Sequence, residues 1–161
     1  MRRREREVSE IGQLRKILDA CEVCRIALAG EEEPFTPYIV PLNFGYKWEQ
    51  DRLILYFHGA GEGRKMDLVR QKGLAGFEMD TAHCLLPHDT ACGHTYFYQS
   101  ITGFGRICEV TDPAEKKEGL GLLMKQLTRR EDWEFAPYAF EKTTVLKLEA
   151  EQYSGKQHLR G

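Results

Sequence analysis

Several things are missing from this chain, and each absence narrows what it can be. No stretch approaches the roughly 18 consecutive apolar residues that a membrane-crossing helix needs. The charged start "MRRRERE" is not followed by an apolar segment, so no secretory leader is read there. The five cysteines (Cys21, Cys24, Cys84, Cys92 and Cys108) are an odd set with no leader, which fits reduced thiols and a cytoplasmic location. The net charge of −2 exerts no global pull on nucleic acid or an anionic membrane, so neither is expected as a partner. No internal repeat or low-complexity segment stands out. Neither a Walker loop nor a G-x-G-x-x-G fingerprint is present.

What remains is a chain of 161 residues, 42% hydrophobic and 30% charged, enough for one domain with a single sizeable core. Residues 1–8 read as a solvated, frayed terminus, with a nucleic-acid arm as the lesser alternative. Ser9 reads as the N-cap of a first helix carrying Ile11, Leu14, Ile17 and Leu18 on one face. "EVCRIALAG" (Glu22–Gly30) reads as a strand and "EEEPF" as a turn. "TPYIVPLNFGY" (Thr36–Tyr46) is rich in β-formers, yet Pro41 marks it as an edge, a bulge or a backbone facing a ligand. "KWEQDR" is a hairpin turn into the apolar run "LILYFH" (Leu53–His58). A second helix follows through Met66 and Val69 to Gly73.

"LAGFEMD" (Leu74–Asp80) is a further strand, and "TAHCLLPHDTACGH" reads as a long loop. "TYFYQSITGFGRICEV" (Thr95–Val110) is a long strand whose two central glycines suit a strong bend. Asp112 as N-cap and Pro113 open a helix whose Leu120, Leu123, Met124 and Leu127 pack inward. "TTVLKLEAEQYSG" (Thr143–Gly155) is the last strand. About six strands with few intervening helices favour a small antiparallel barrel over a doubly wound sheet.

The stretch "YFHGAGEGRKMD" (Tyr56–Asp67) carries the clearest chemistry. A glycine turn offers successive backbone N–H groups to an anion, and the following helix N-terminus adds partial positive charge. Arg64 can grip phosphate oxygens in a bidentate way and Lys65 adds a point charge. The bland alternative is a plain strand–helix turn. His83, Cys84, His88, Cys92 and His94 are dense enough to bind zinc, but their spacing fits no standard finger and no metal site is assigned. Cys21 and Cys24 form a C-x-x-C outside a strand–helix redox context, so they read as structural thiols.

Taken in order and spacing, "YIVPLNFGY", "LYFHGAGEGRKMD" and "YQSITGFGRICEVTDPAEK" resemble the pyridoxamine 5′-phosphate oxidase-like flavoproteins, and within them the nitroimidazole-resistance branch. That resemblance implies a mainly β fold, a six-stranded antiparallel split barrel with a few flanking helices. It implies FMN bound at a homodimer interface, with a small-molecule substrate. Pro41, Leu42 and Asn43 would run along the flavin edge. Phe57, His58, Gly59 and Ala60 would pass beside the ring and ribityl chain, and Gly63, Arg64 and Lys65 would hold the phosphate. Ser100 falls at a polar contact to the flavin, and His58 at the active-site histidine. In "DWEFAPYAF", Trp133 or Phe135 would reach over the partner's flavin. The implied activity is an FMN-dependent oxidoreductase reducing a small acceptor such as a nitroaromatic. The alternatives are a flavin storage or sensing module, and a haem- or deazaflavin-handling relative. The C-terminal substrate motif of the vitamin-making oxidases is absent.

Overall fold

The computed structural model describes residues 4–30 and 36–159; the turn read at 31–35 lies outside them. The strands are β1 (Glu7–Val8), β2 (Cys24–Leu28), β3 (Tyr38–Leu42), β4 (Phe44–Glu49), β5 (Arg52–Gly59), β6 (Leu74–Leu86), β7 (Thr95–Glu109) and β8 (Thr144–His158). The helices are α1 (Ile11–Ala20), α2 (Arg64–Lys72), α3 (Pro113–Thr128) and α4 (Pro137–Lys142). All pairings are antiparallel, in the order β3-β2-β6-β7-β8-β5-β4, with β1 added to β8.

The expected six strands are therefore eight. The run Thr36–Tyr46 does not form one strand: it breaks at Asn43 into β3 and β4, which lie at the two opposite edges of the sheet. Leu42 and Phe44 are two bonds of virtual chain apart, so the edges meet within about 7 Å there. No ladder joins β3 to β4 among the described residues, so the sheet curls without closing. The eighth strand comes from the terminus. The sequence suggests that residues 1–8 are frayed, yet Glu7 and Val8 pair with Lys156 and Gly155, and Val8 is buried.

Alternation sets the barrel's inside and outside. On β7 the odd positions Phe97, Ile101 and Ile107 are buried, while Thr102, Phe104 and Arg106 between them are exposed. Its bend coincides with a register shift between Phe104 and Gly105, as its glycines suggest. β5 differs, because Leu53 through Phe57 are all buried. Leu53, Leu55 and Phe57 enter the barrel core, where α1 adds Leu14, Ile17 and Leu18 and α2 adds Met66, Leu68 and Val69. Ile54 and Tyr56 point the other way, into a smaller core under α3 with Leu120, Val110 and Val145.

Three local readings change. Glu10, rather than Ser9, caps α1, accepting from the Gly12 amide at 3.1 Å. The long loop from Thr81 is shorter than expected. β6 continues to Leu86 past a bulge between Thr81 and Cys84, where Ala82 takes a left-handed φ of 57°. On α3, Asp112 caps the helix as expected, but Leu127 is exposed, and Gln126 is the buried residue of that turn. Its side-chain amide Nε2 donates at 2.8 Å to the carbonyls of Leu18 and Cys21, tying α3 to the end of α1.

α3 lies directly on β4. A Cβ added to Gly45 would sit 2.3 Å from the Leu123 amide nitrogen and 2.4 Å from the Leu122 carbonyl carbon. Helix backbone cannot yield as a flexible side chain would. Gly45→Ala should therefore lower stability by about 1–3 kcal/mol through overpacking, measured by urea denaturation. A change within about 0.5 kcal/mol, the range of ordinary surface substitutions, would refute this close seat of α3.

Candidate functional site

The open seam of the barrel is where the chemistry-bearing residues gather. β3 is an edge strand, so the side of its backbone facing away from β2 has no ladder partner among the described residues. Across the seam, β5 pairs with β4 only as far as Phe44 and Phe57; His58 and Gly59 pair with β8 alone, opposite Val145 and Thr144. Two unpaired strand edges thus flank the seam, joined at one end by Asn43, whose Nδ2 donates to the Glu22 carbonyl at 2.9 Å.

From Gly59 the chain turns through Ala60 to Gly63 and starts α2. Gly63 adopts φ 97°, a conformation that favours glycine, and provides no side-chain cap. Its carbonyl accepts from the Met66 and Asp67 amides, whereas the Arg64 and Lys65 amides have no partner among the described residues. Arg70, at the far end of α2, donates to the Gly61 carbonyl and pairs with Glu109, which holds the turn in place.

Arg64 and Lys65 diverge from this start. The Arg64 guanidinium lies 4.9 Å from the centre of the Tyr38 ring, so α2 reaches across the seam to the beginning of β3. Lys65 Nζ occupies the space above Gly59, where an added Cβ would meet it at 2.3 Å. Burial lowers the Lys65 pKa. A partly desolvated ammonium with no carboxylate beside it, an arginine and two free amides stand together at the start of α2. Among the described residues, neither cation forms an ion pair.

His58 is on the other side of this strand. Alternation puts its side chain with Ile54 and Tyr56, away from Phe57 and Gly59. There it lines a cavity of about 280 Å³ with Leu120, Leu123, Met124, Phe135 and Phe140. Desolvation by the surrounding protein lowers its pKa, and the Lys65 ammonium adds to the effect.

The remaining expected site residues are more scattered. Pro41 is exposed on the outer face opposite Arg25, and Leu42 packs toward the barrel core. The Phe57 side chain is fully buried and its strand is laddered on both sides there. Ser100 sits on the outer face of β7 between Asp80 and Lys156. Trp133 lies between α3 and α4; its Nε1 donates to Thr128 Oγ1, and Arg130 covers its ring. Phe135 packs in its own chain's smaller core against Phe140.

Tyr38, Phe140 and Glu134 are at these sites without having been singled out. The aromatic cluster "DWEFAPYAF" was the only signal for the last two, and the edge position of β3 the only one for Tyr38. Both C-x-x-C thiols are buried; burial, reinforced by the Asp80 and Glu78 carboxylates, pushes Cys21 up to about 12, and burial raises Cys24 too. They are inert thiols. His83 pairs with Asp80 at 2.6 Å, while His88 and His94 bond Thr90. No three His, Cys, Asp or Glu side chains converge among the described residues. No helix there is long and apolar enough to cross a membrane.

A sequence model for the family described as pyridoxamine 5′-phosphate oxidase matches residues 10–157. No curated protein matches the chain. Solved structures that share its fold include the following three. One is a candidate 5-nitroimidazole antibiotic resistance protein from Bacteroides thetaiotaomicron, with TM-score 0.78 and 22% identity, covering 94% of this chain and 86% of that one. Another is the flavocytochrome Anf3 from Azotobacter vinelandii, with TM-score 0.77 and 20% identity over 99% of this chain and 72% of the other. The third is an FAD- and haem-binding protein from Mycobacterium smegmatis, with TM-score 0.79 and 18% identity over 96% and 74%.

The electrostatics at β5 can be checked directly. Folding disfavours the His58 imidazolium, so the unfolded chain binds that proton more readily. Between the lowered folded pKa and the unfolded one, stability rises with pH. By NMR titration, His58 should ionise below the ordinary imidazole range. Lys65→Met should raise its pKa part of the way back, since desolvation is the larger cause. An unmoved His58 pKa in that variant would mean the ammonium is not near the ring.

Proposed function

This chain belongs to the pyridoxamine 5′-phosphate oxidase family, and from that premise we propose that it binds FMN in the barrel seam and reduces a small acceptor. The observation that carries this reading is the uncapped start of α2, with Arg64, Lys65 and two free amides, opening onto an unpaired edge of β3. Bound flavin would supply the redox chemistry, passing electrons to an acceptor such as a nitroaromatic or a quinone. The residues present fit its phosphate: Arg64 offers a planar fork, Lys65 a point charge, and the amides of the first helical turn complete the cradle. The free backbone of β3 through Pro41, Leu42 and Asn43 fits the polar rim of a flat ring, and Pro41 has no N–H to be left unsatisfied. His58 is on the other face of β5, and its lowered pKa favours a neutral imidazole that can donate or accept a proton near neutral pH.

We assign the partner as a second copy of this chain. Ile39, Ala27, Gly76 and Phe104 lie side by side across β3, β2, β6 and β7 on the outer face. Ile39 is 60% and Phe104 44% exposed, a large apolar outlay for a free surface. Pro41 and Ser100 are on this same face, which supports a flavin between two subunits with residues of both around it. The flavin storage reading and the haem relative remain the competitors, and colour separates them.

The absorption spectrum of purified protein should show a flavin, and a Soret band in its place would favour the haem relative. FMN fluorescence titration of the Arg64→Ala, Lys65→Ala double variant should give at least about 100-fold weaker binding, because two charged contacts worth about 1.5–3 kcal/mol each are lost. Unchanged affinity would remove the phosphate site from α2. FAD titrated alongside decides between the two flavins, and anaerobic bleaching by NAD(P)H followed by return of colour on adding an acceptor decides between enzyme and storage protein. Phe104→Arg should convert a dimer into a monomer in sedimentation velocity; a dimer that persists puts the interface elsewhere.

A further inference from the structure

A larger cavity, of about 510 Å³, lies between α1, α3 and β4 and shares no residue with the start of α2, with β3 or with the His58 cavity. Four cations line it, Arg15, Lys47, Lys125 and Arg129, against one carboxylate, Asp19. Both lysines are already matched, Lys47 by Glu49 and Glu118 and Lys125 by Glu131. Among the described residues the two guanidiniums form no ion pair. Arg15 rests on the Trp48 ring, 5.2 Å from its centre, and Arg129 donates to the Asp19 carbonyl. Asp19 Oδ1 accepts from the Tyr46 hydroxyl at 2.6 Å. Two unmatched guanidiniums against one carboxylate leave a surplus of one positive charge. Arg129 also ends α3 at a left-handed φ of 61°, where glycine is the ordinary residue, so a guanidinium is held here at a backbone cost.

Gln126 supplies an independent signal. It is 6% exposed and lines the same cavity. Its two carbonyl partners, Leu18 and Cys21, fix which end is the nitrogen, since the amide N–H groups alone can donate to them. The other end, Oε1, accepts no hydrogen bond among the described residues, although an amide oxygen on so buried a residue ordinarily has one. No side-chain oxygen is sealed in protein without a partner among these residues, so Oε1 opens to the cavity.

We propose that this cavity binds a planar aromatic monocarboxylate whose ring carries an N–H or O–H group, with Arg15 and Arg129 taking the carboxylate and Gln126 Oε1 the ring donor. The proposal is independent of the flavin reading. A guanidinium offers a carboxylate two parallel hydrogen bonds. One surplus charge suits a monoanion better than a dianionic phosphate. The Tyr46 and Trp48 rings, 5.7 Å apart between centres and at 87° to each other, make a corner with Leu122 that can bury a flat ring.

The test titrates three probes into the full chain, with calorimetry and the Gln126 side-chain amide NMR signals as readouts. Indole-2-carboxylate carries both features, indole-2-carboxamide lacks the charge, and 1-benzothiophene-2-carboxylate lacks the N–H. The carboxamide should bind at least about 10-fold more weakly than the carboxylate, because charge-assisted bonds are lost. The benzothiophene should bind about 5-fold more weakly, the worth of one neutral hydrogen bond, and should leave the Gln126 signals closer to their free positions. Arg15 is exposed, and Arg129→Gly suits the left-handed backbone, so Arg15→Gln and Arg129→Gly should each fold and weaken the carboxylate about 10-fold with little effect on the carboxamide. No binding of indole-2-carboxylate, equal binding of the three probes by the unaltered chain, or unmoved Gln126 signals would overturn the proposal. So would an affinity that falls in the Arg64→Ala, Lys65→Ala double variant and survives both Arg15→Gln and Arg129→Gly, since the probe would then occupy the start of α2.

Discussion

Asn43 joins the two edges of one sheet, and the rest of the molecule follows from that link. A strand order that runs from β3 to β4 by way of every other barrel strand can be bridged by one residue only if the sheet curls on itself. The bridge fixes the edges together at one end and leaves them free to part at the other. What parts there is backbone: the outward side of β3 and the last two residues of β5, with donors and acceptors that need partners. An all-β domain would normally hide such edges from other chains. Here α2 starts beside them and Arg64 reaches Tyr38, so the unpaired edges meet a cationic helix start.

β5 links these edges to the second feature. It is buried on both faces, which is unusual for an antiparallel strand and is why the sequence shows an unbroken apolar run, "LILYF". One face completes the barrel core and the other supports α3 and α4. At its end the same alternation sends Gly59 toward Lys65 and His58 toward Phe135. Two neighbouring residues therefore face two different surroundings, the Lys65 ammonium and the Phe135 and Phe140 rings, with a single strand as the partition.

Much of this was legible in the chain. The β-rich class, the hairpin at Gln50–Asp51, the bend in β7, the Asp112 cap and the glycine turn ahead of Arg64 all have local signals that the structure repeats. The splitting of Thr36–Tyr46 had none, because an edge change at Asn43 is decided by which strands are available far away in sequence, and Pro41 hinted only at an edge. The extension of β6 was hidden for a similar reason. Its continuation follows a bulge at Ala82, and Leu85 and Leu86 are exposed, so neither alternation nor burial marks it. Glu10 displaced Ser9 because a longer side chain one residue later reaches the Gly12 amide. At the sites, the motif around Arg64 was visible, whereas the company His58 keeps depends on how residues 134–140 fold back, which no local pattern encodes.

The barrel core and the core beneath α3 share two strands, β5 and β8, but no buried side chain. Mutations in residues 134–140, beyond the Gln126 tie to α1 and the seat of α3 on β4, can therefore accumulate without disturbing the barrel packing. Over evolutionary time, lineages carrying this arrangement could exchange one ligand preference for another by rewriting a short helical segment, while the barrel drifts slowly under the demands of its own interior. The two halves of the site are free to diverge at different rates.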